Sequence, residues 1–159
     1  MRALSILFVL ALPLAAAAPP DPATMAIGKT AFAVCTACHG MDGKGTPAGP
    51  SLMAPPLAKS PIVTGDPAVL ALAVLKGIAK ENNGTYLAAM APMAAAISDD
   101  AKLAALLTYL RNSFDNSAPA VNAAEAAQYR TQWQDEKGPV TRTRLKELSD
   151  QAATRDAKK

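Results

Sequence analysis

Three stretches of the chain place apolar residues at helical spacing. In 24–34, Thr-Met-Ala-Ile-Gly-Lys-Thr-Ala-Phe-Ala-Val, a stripe runs through Met25, Ile27 or Gly28, Ala31 or Phe32, and on to Cys35. That recurrence is the period of an amphipathic helix, with Thr24 placed to cap it. A second helix is announced by Asp66-Pro67, a capping side chain followed by proline at the first helical position. Val69, Leu70, Leu72, Ala73 and Val74 form its apolar face, and Gly77 lies near its stop. The third starts at Ser98 as cap, with Asp99 and Asp100 in the first turn, where the helix dipole favours negative charge. Leu103, Leu106, Leu107 and Leu110 make its stripe, and Arg111 sits in the last turn. Between these helices the chain is rich in turn formers. Residues 40–60 are dense in Gly and Pro, and a non-periodic loop of about twenty residues in a compact domain is usually functional. Residues 81–96, with Asn82, Asn83, Gly84 and Pro92, read as a second long loop. No convincing run of β-branched residues is present, so the pattern predicts an all-α domain of three main helices with long loops.

Beyond Asn116 the pattern changes. Residues 117–121 read as a linker, 122–134 as a helix capped by Asn122, Gly138-Pro139 as a break and 143–148 as a short helix. The polar end, 150–159, is expected to be disordered. Trp133, the only tryptophan, either anchors this extension to the rest of the chain or serves a partner. An amphipathic helix folding back on its own domain is the simpler expectation. The division is thus 1–18, 19–116 and 117–159.

Residues 1–18 have one positive residue, Arg2, an apolar run from Ala3 to Leu14, and small residues suited to cleavage. That is the composition of a signal peptide. The run is shorter than the ~20 apolar residues of a spanning helix, and Pro13 interrupts it. Half the residues are hydrophobic, but much of that is alanine and only 4% are aromatic. The core is therefore thin for its length, and a large apolar group bound inside would complete it. From Pro19 to Asn116 there are seven basic and seven acidic residues, whereas 117–159 holds eight basic and six acidic. Charge on that scale gives no patch for nucleic acid.

Cys35, Thr36, Ala37, Cys38 and His39 contain both cysteines and the one histidine. Cys-x-x-Cys-His is the signature of c-type haem attachment. Each thiol adds to a vinyl group of the porphyrin, and the adjacent imidazole becomes the proximal iron ligand. A structural zinc site needs four Cys or His ligands, and this chain has three in all. A thioredoxin-like dithiol belongs beside a βαβ pattern, which is missing here. Export fits the motif, since in the family it implies haem c is attached outside the cytoplasmic membrane. A sixth ligand would separate carrier from enzyme, because six-coordination closes the iron to substrates. Met25 and Met41 lie close in sequence to the proximal motif, which leaves Met53 and, on the proline-containing loop before the third helix, Met90 and Met93.

From about Ala26 to Asn116 the chain resembles a class I c-type cytochrome. The resemblance rests on Gly28 to Gly40, Gly-Lys-Thr-Ala-Phe-Ala-Val-Cys-Thr-Ala-Cys-His-Gly, and on Ala104 to Arg111, Ala-Ala-Leu-Leu-Thr-Tyr-Leu-Arg. It implies the cytochrome c fold around one covalently bound haem c, with Gly28 and Phe32 packed against the final helix. Ala89 to Asp99, Ala-Met-Ala-Pro-Met-Ala-Ala-Ala-Ile-Ser-Asp, is similar to the family's distal loop and implies Met90 as the ligand, with Met93 the second candidate. The family orients its proximal histidine with a proline carbonyl. Pro50 and Pro55 both fit, and Pro-Pro-Leu-Ala-Lys-Ser at 55–60 favours Pro55, with Lys59 where the family usually has glycine. The expected site is Cys35, Cys38, His39 and Met90, with His39 and Met90 on the iron. The implied activity is one-electron transfer by a monomeric periplasmic carrier, not an enzyme. Its partners would be a periplasmic dehydrogenase, a membrane complex or a terminal oxidase or reductase. The membrane would be met only through a partner or a retained anchor. A dedicated haem subunit or docking module, and a five-coordinate haem enzyme or gas sensor, are the alternatives.

Overall fold

The computed structural model describes residues 19–80 and 86–158; the leader expected at 1–18 and Glu81, Asn82, Asn83 and Gly84 lie outside them. Asp-Pro pairs open the first two long helices. Helix α1, Pro22–Phe32, starts three residues earlier than a Thr24 cap would place it, because Pro22 supplies a preset φ at the first helical residue. The cap is Asp21, whose carboxylate accepts from the Thr24 N–H at 2.8 Å and the Thr24 hydroxyl at 3.0 Å. A 3₁₀ turn, Ala33–Cys35, and the short helix α2, Thr36–His39, carry the chain into the cysteine motif. The 40–60 segment then holds a two-residue hairpin, β1 Pro47–Ala48 against β2 Ser51–Leu52, and a helical turn follows it, α3 Pro61–Thr64. Neither had a periodic signal, being shorter than one repeat.

Helix α4, Pro67–Lys76, begins and ends as the sequence predicts, at Asp66 and at Gly77 in the left-handed conformation. Helix α5, Asp100–Arg111, starts one residue later than predicted. Asp99 rather than Ser98 caps it, accepting from the Lys102 N–H at 2.7 Å. Its leucine stripe is fully enclosed, with Leu103, Leu106 and Leu107 at 0% exposure. Arg111 does more than sit at a helix end. It is buried, and its guanidinium donates to the carbonyls of Val63, Gly65 and Pro119, tying α3 and the linker after Asn116 to α5.

Helices α1 and α5 cross at Gly28, where a Cβ would run into the Ala105 carbonyl and the Tyr109 side chain. Beside the crossing, Phe32 packs against Tyr109 and Phe114 with ring centroids 5.6 and 5.3 Å apart. The expected packing of Gly28 and Phe32 on the final core helix is thus observed. Of the ambiguous stripe positions, Gly28, Ala31 and Phe32 are buried and Ile27 is exposed.

The extension folds back. Helix α6, Ala123–Gln132, opens with a capping box of Asn122 and Glu125 and packs on α4 and α5. Trp133 is buried and donates from Nε1 to the Ala68 carbonyl at 2.7 Å. Helix α7, Arg142–Asp156, is longer than the short 143–148 helix predicted, and it takes in most of the polar end expected to be disordered. Leu145 and Ala152 are buried on its inner side, and Arg155 reaches the Asp66 carboxylate at 3.2 Å. Consequently α4 is buried on both sides. Leu70, Ala71, Val74 and Leu75 face the main core, and Ala68, Val69, Leu72 and Ala73 face Trp133, Val140 and Leu145.

Candidate functional site

The cysteine motif is held by the loop that follows it. Gly40, at φ 72°, turns the chain out of α2. The carbonyls of Cys38 and His39 then receive the N–H groups of Thr46 and Gly45, both at 2.9 Å. The Leu57 N–H donates to the Gly43 carbonyl at 2.7 Å, folding the proline segment back beneath the motif. Asn116 locks this segment to α5, accepting from Lys59 N–H at 2.7 Å and donating to the carbonyls of Leu57 and Leu110. Lys59, where the family usually has glycine, holds the turn in the left-handed region at φ 52°.

His39 Nδ1 lies 3.3 Å from the Pro55 carbonyl oxygen, so Pro55, not Pro50, orients the ring. Donation from Nδ1 leaves Nε2 as the ligating nitrogen. Burial lowers the imidazole's pKa, the Pro55 hydrogen bond opposes that, and the Arg142 charge adds to the lowering. The neutral ring that a metal requires is therefore favoured. Cys35 and Cys38 are half-buried and not joined by a disulfide. Burial, with Cys38 alongside, pushes the Cys35 thiol up to about 11.

A cavity of about 480 Å³ opens between α3, α4, α5 and α7, bounded by Cys35, His39, Pro55 and Met90. A second, of about 240 Å³, adjoins it and is bounded by the same four residues with Cys38, Val34, Ala88 and Met93. Such volumes fall near the ~300–1,000 Å³ of clefts that take a ligand of cofactor size. Phe32, Leu57, Ile62, Leu70, Val74 and Leu106 make the larger cavity chiefly apolar. Two thiols, one imidazole, the thioethers of Met90 and Met93 and apolar walls form a donor set that fits haem.

Met90 is fixed by backbone hydrogen bonds in both directions with Ile78, each 2.9 Å. Gly77 permits this approach, since a Cβ there would strike the Met90 carbonyl. Met93 donates its N–H to the Val74 carbonyl and lines the smaller cavity only, whereas Met90 lines both. Met25, Met41 and Met53 line neither. The structure thus gathers Cys35, Cys38, His39 and Met90 about one slot.

Sequence reasoning missed the part played by the extension. Val140 bonds to the edge of the Ile78 segment opposite Met90, with its N–H on the Gly77 carbonyl at 3.0 Å and the Ala79 N–H on its own carbonyl at 2.8 Å. Arg142, Leu145, Lys146 and Ser149 line the larger cavity. A signal was present in α4, Pro-Ala-Val-Leu-Ala-Leu-Ala-Val-Leu-Lys, which is apolar all round and therefore needs cover on two sides.

The family model for cytochrome c matches residues 25–114. No curated protein matches the chain. The matched segment holds the cysteine motif, the Pro55 segment, the Met90 loop and the α1/α5 crossing; the chain belongs to the cytochrome c family, which binds haem c and transfers electrons.

Proposed function

We propose that this protein is an exported, monohaem electron carrier in which Cys35 and Cys38 tether the haem through thioether bonds and His39 and Met90 ligate its iron. The observation that carries this reading is the slot bounded by both thiols, the imidazole and the Met90 side chain. When bound, the haem supplies an iron that cycles between ferrous and ferric states. The chain's own groups then do the rest. The Pro55 carbonyl fixes the tautomer and plane of the His39 ring. The Ile78 backbone holds Met90 in register with the cavity, and its thioether as an iron ligand would raise the potential. Apolar walls from α4 and α5 exclude water.

His39 and Met90, both placed to hold the iron, would favour a carrier over a five-coordinate enzyme or sensor. The redox partner would be a periplasmic dehydrogenase, a membrane complex or a terminal oxidase or reductase. It would be met as a monomer on the face of the smaller cavity, where Val34 is an exposed apolar side chain. Export is supported by the composition of residues 1–18.

The test is extraction of the purified mature protein with acid acetone. Haem stays with the polypeptide in the wild type, Cys35→Ala and Cys38→Ala each give much less holo-protein with a single linkage, and the double variant gives essentially none. Release of haem from the wild type contradicts the assignment.

A further inference from the structure

The geometry points to a carboxylate-binding end of the haem site built by the C-terminal extension, in which Arg142, Lys146 and Ser149 of α7 receive the carboxylate side chains of the porphyrin. The inference rests on the haem reading above and concerns residues beyond the 25–114 segment that defines the family.

A porphyrin anchored through its vinyl groups at Cys35 and Cys38 directs its carboxylates to the opposite edge. The smaller cavity contains Cys38 and, of α7, only Arg142. The larger cavity lacks Cys38 and extends to Lys146, Ser149 and Asp150. Lys146, Ser149 and Asp150 therefore lie at the end away from Cys38 while Arg142 borders both cavities, and among the described residues the hydrogen-bonding side chains at that end, apart from Ser60, come from α7. The interior wall, Leu70, Val74, Leu106 and Leu110, is apolar and offers a carboxylate nothing.

Ser149 supplies a second, independent observation. Its hydroxyl is buried and has no hydrogen-bond partner among the described residues. A buried polar atom left unpaired is costly, and its presence calls for an explanation. A carboxylate oxygen at this end of the cavity satisfies it. The charges agree, since among the described residues Arg142 and Lys146 line the cavity with one carboxylate, Asp150. Lys146 is paired with Asp150 at 2.7 Å, but both side chains are more than half exposed, and an exposed pair of this kind is worth little, so Lys146 exchanges partners readily. Arg142 also stacks on Tyr86, its guanidinium carbon 5.3 Å from the ring centroid. That contact and the Val140 backbone bonds hold the start of α7 beside the Ile78 segment that pairs with Met90.

The experiment uses the full mature holo-protein and measures midpoint potential and thermal midpoint for Ser149→Ala, for Arg142→Gln with Lys146→Gln, and for Arg142→Lys. Ser149→Ala removes an unpaired buried hydroxyl and improves helix propensity, so it raises the thermal midpoint if the hydroxyl stays unpaired in the holo-protein. If the hydroxyl donates to a carboxylate, the same change lowers the thermal midpoint, and that is the expected result. The charge-neutralising pair lowers the potential, because an uncompensated carboxylate favours ferric iron, and Arg142→Lys retains most of the wild-type value. A raised or unchanged thermal midpoint for Ser149→Ala overturns the inference, as does an unchanged potential in the neutralised pair. Should that pair fail to take up haem, Ser149→Ala alone decides. Retention of covalent haem with intact axial ligation in an insensitive variant faults this inference only, whereas failure of the haem reading appears already in the wild type.

Discussion

Replacing Trp133 with phenylalanine tests whether the extension belongs to the folded haem unit. The indole is buried among Ala68, Val69, Leu72, Ala73, Val140 and Leu145, and its N–H donates to the Ala68 carbonyl at 2.7 Å. A tryptophan buries ~150–250 Å², and a phenylalanine in its place gives up about 50 Å² of that, or about 1.3 kcal/mol at ~25 cal/mol per Å². The lost hydrogen bond adds about 1 kcal/mol. The Ala68 carbonyl lies inside α4 and keeps its helical partner, so no further penalty for an orphaned acceptor applies. The expected destabilisation is therefore about 2–2.5 kcal/mol. It is read from guanidinium titration of the holo-protein, followed by far-UV ellipticity and haem absorbance, since the change removes the only tryptophan. Both probes should shift together, because α4 carries Trp133's contacts on one side and the cavity wall on the other. A loss under about 0.5 kcal/mol, the range of ordinary surface substitutions, or a shift in ellipticity without one in haem absorbance, refutes the docking argument.

Gly28→Ala places a methyl against the Ala105 carbonyl, a backbone atom with no room to move; thermal denaturation should show a loss of about 1–3 kcal/mol, and wild-type stability would mean the α1/α5 crossing is looser than described. Lys59→Gly relieves a left-handed backbone at φ 52°, and after the greater flexibility of glycine in the unfolded chain it should gain about 0.5–1 kcal/mol, whereas destabilisation would show that the lysine side chain matters to the turn. Burial, then the Glu125 and Asp66 charges, raise the Tyr129 pKa against an opposing Arg111. Its contribution to stability is therefore complete below the ordinary tyrosine value of about 10, and is lost as pH rises through the higher folded value. Tyr129→Phe should flatten that alkaline limb in a pH series of thermal midpoints, and an unchanged limb would assign it elsewhere.

The sequence is most legible where chemistry and position coincide. Cys35, Cys38 and His39 are adjacent in the chain, and the Asp66-Pro67 start and the α5 leucine stripe are local patterns with one physical solution. Element starts are less legible, because neighbouring residues compete. Asp21 and Thr24, or Ser98 and Asp99, are all competent caps, and the choice falls to the backbone that packing selects. Arg111 reads as a helix-end charge, yet it is a buried clamp on three carbonyls from distant segments. No local pattern encodes such partners. The same holds for α7, a polar helix whose burial of Leu145 and Ala152 depends on α4 being apolar on two sides. The β1/β2 hairpin and α3 are too short to show a period at all.

The most direct measurement is the absorption spectrum of the oxidised protein in its far-red region, taken for the wild type, Met90→Ala and Met93→Ala. Ferric haem bound by a thioether sulfur shows a weak charge-transfer band there. Met90 lines both halves of the haem slot and is pinned by Ile78, whereas Met93 lines one half. The account predicts the band in the wild type and in Met93→Ala, and its loss in Met90→Ala together with a lower potential. A band that survives Met90→Ala and vanishes with Met93→Ala, or is missing from the wild type, contradicts the assignment of His39 and Met90 as the axial pair.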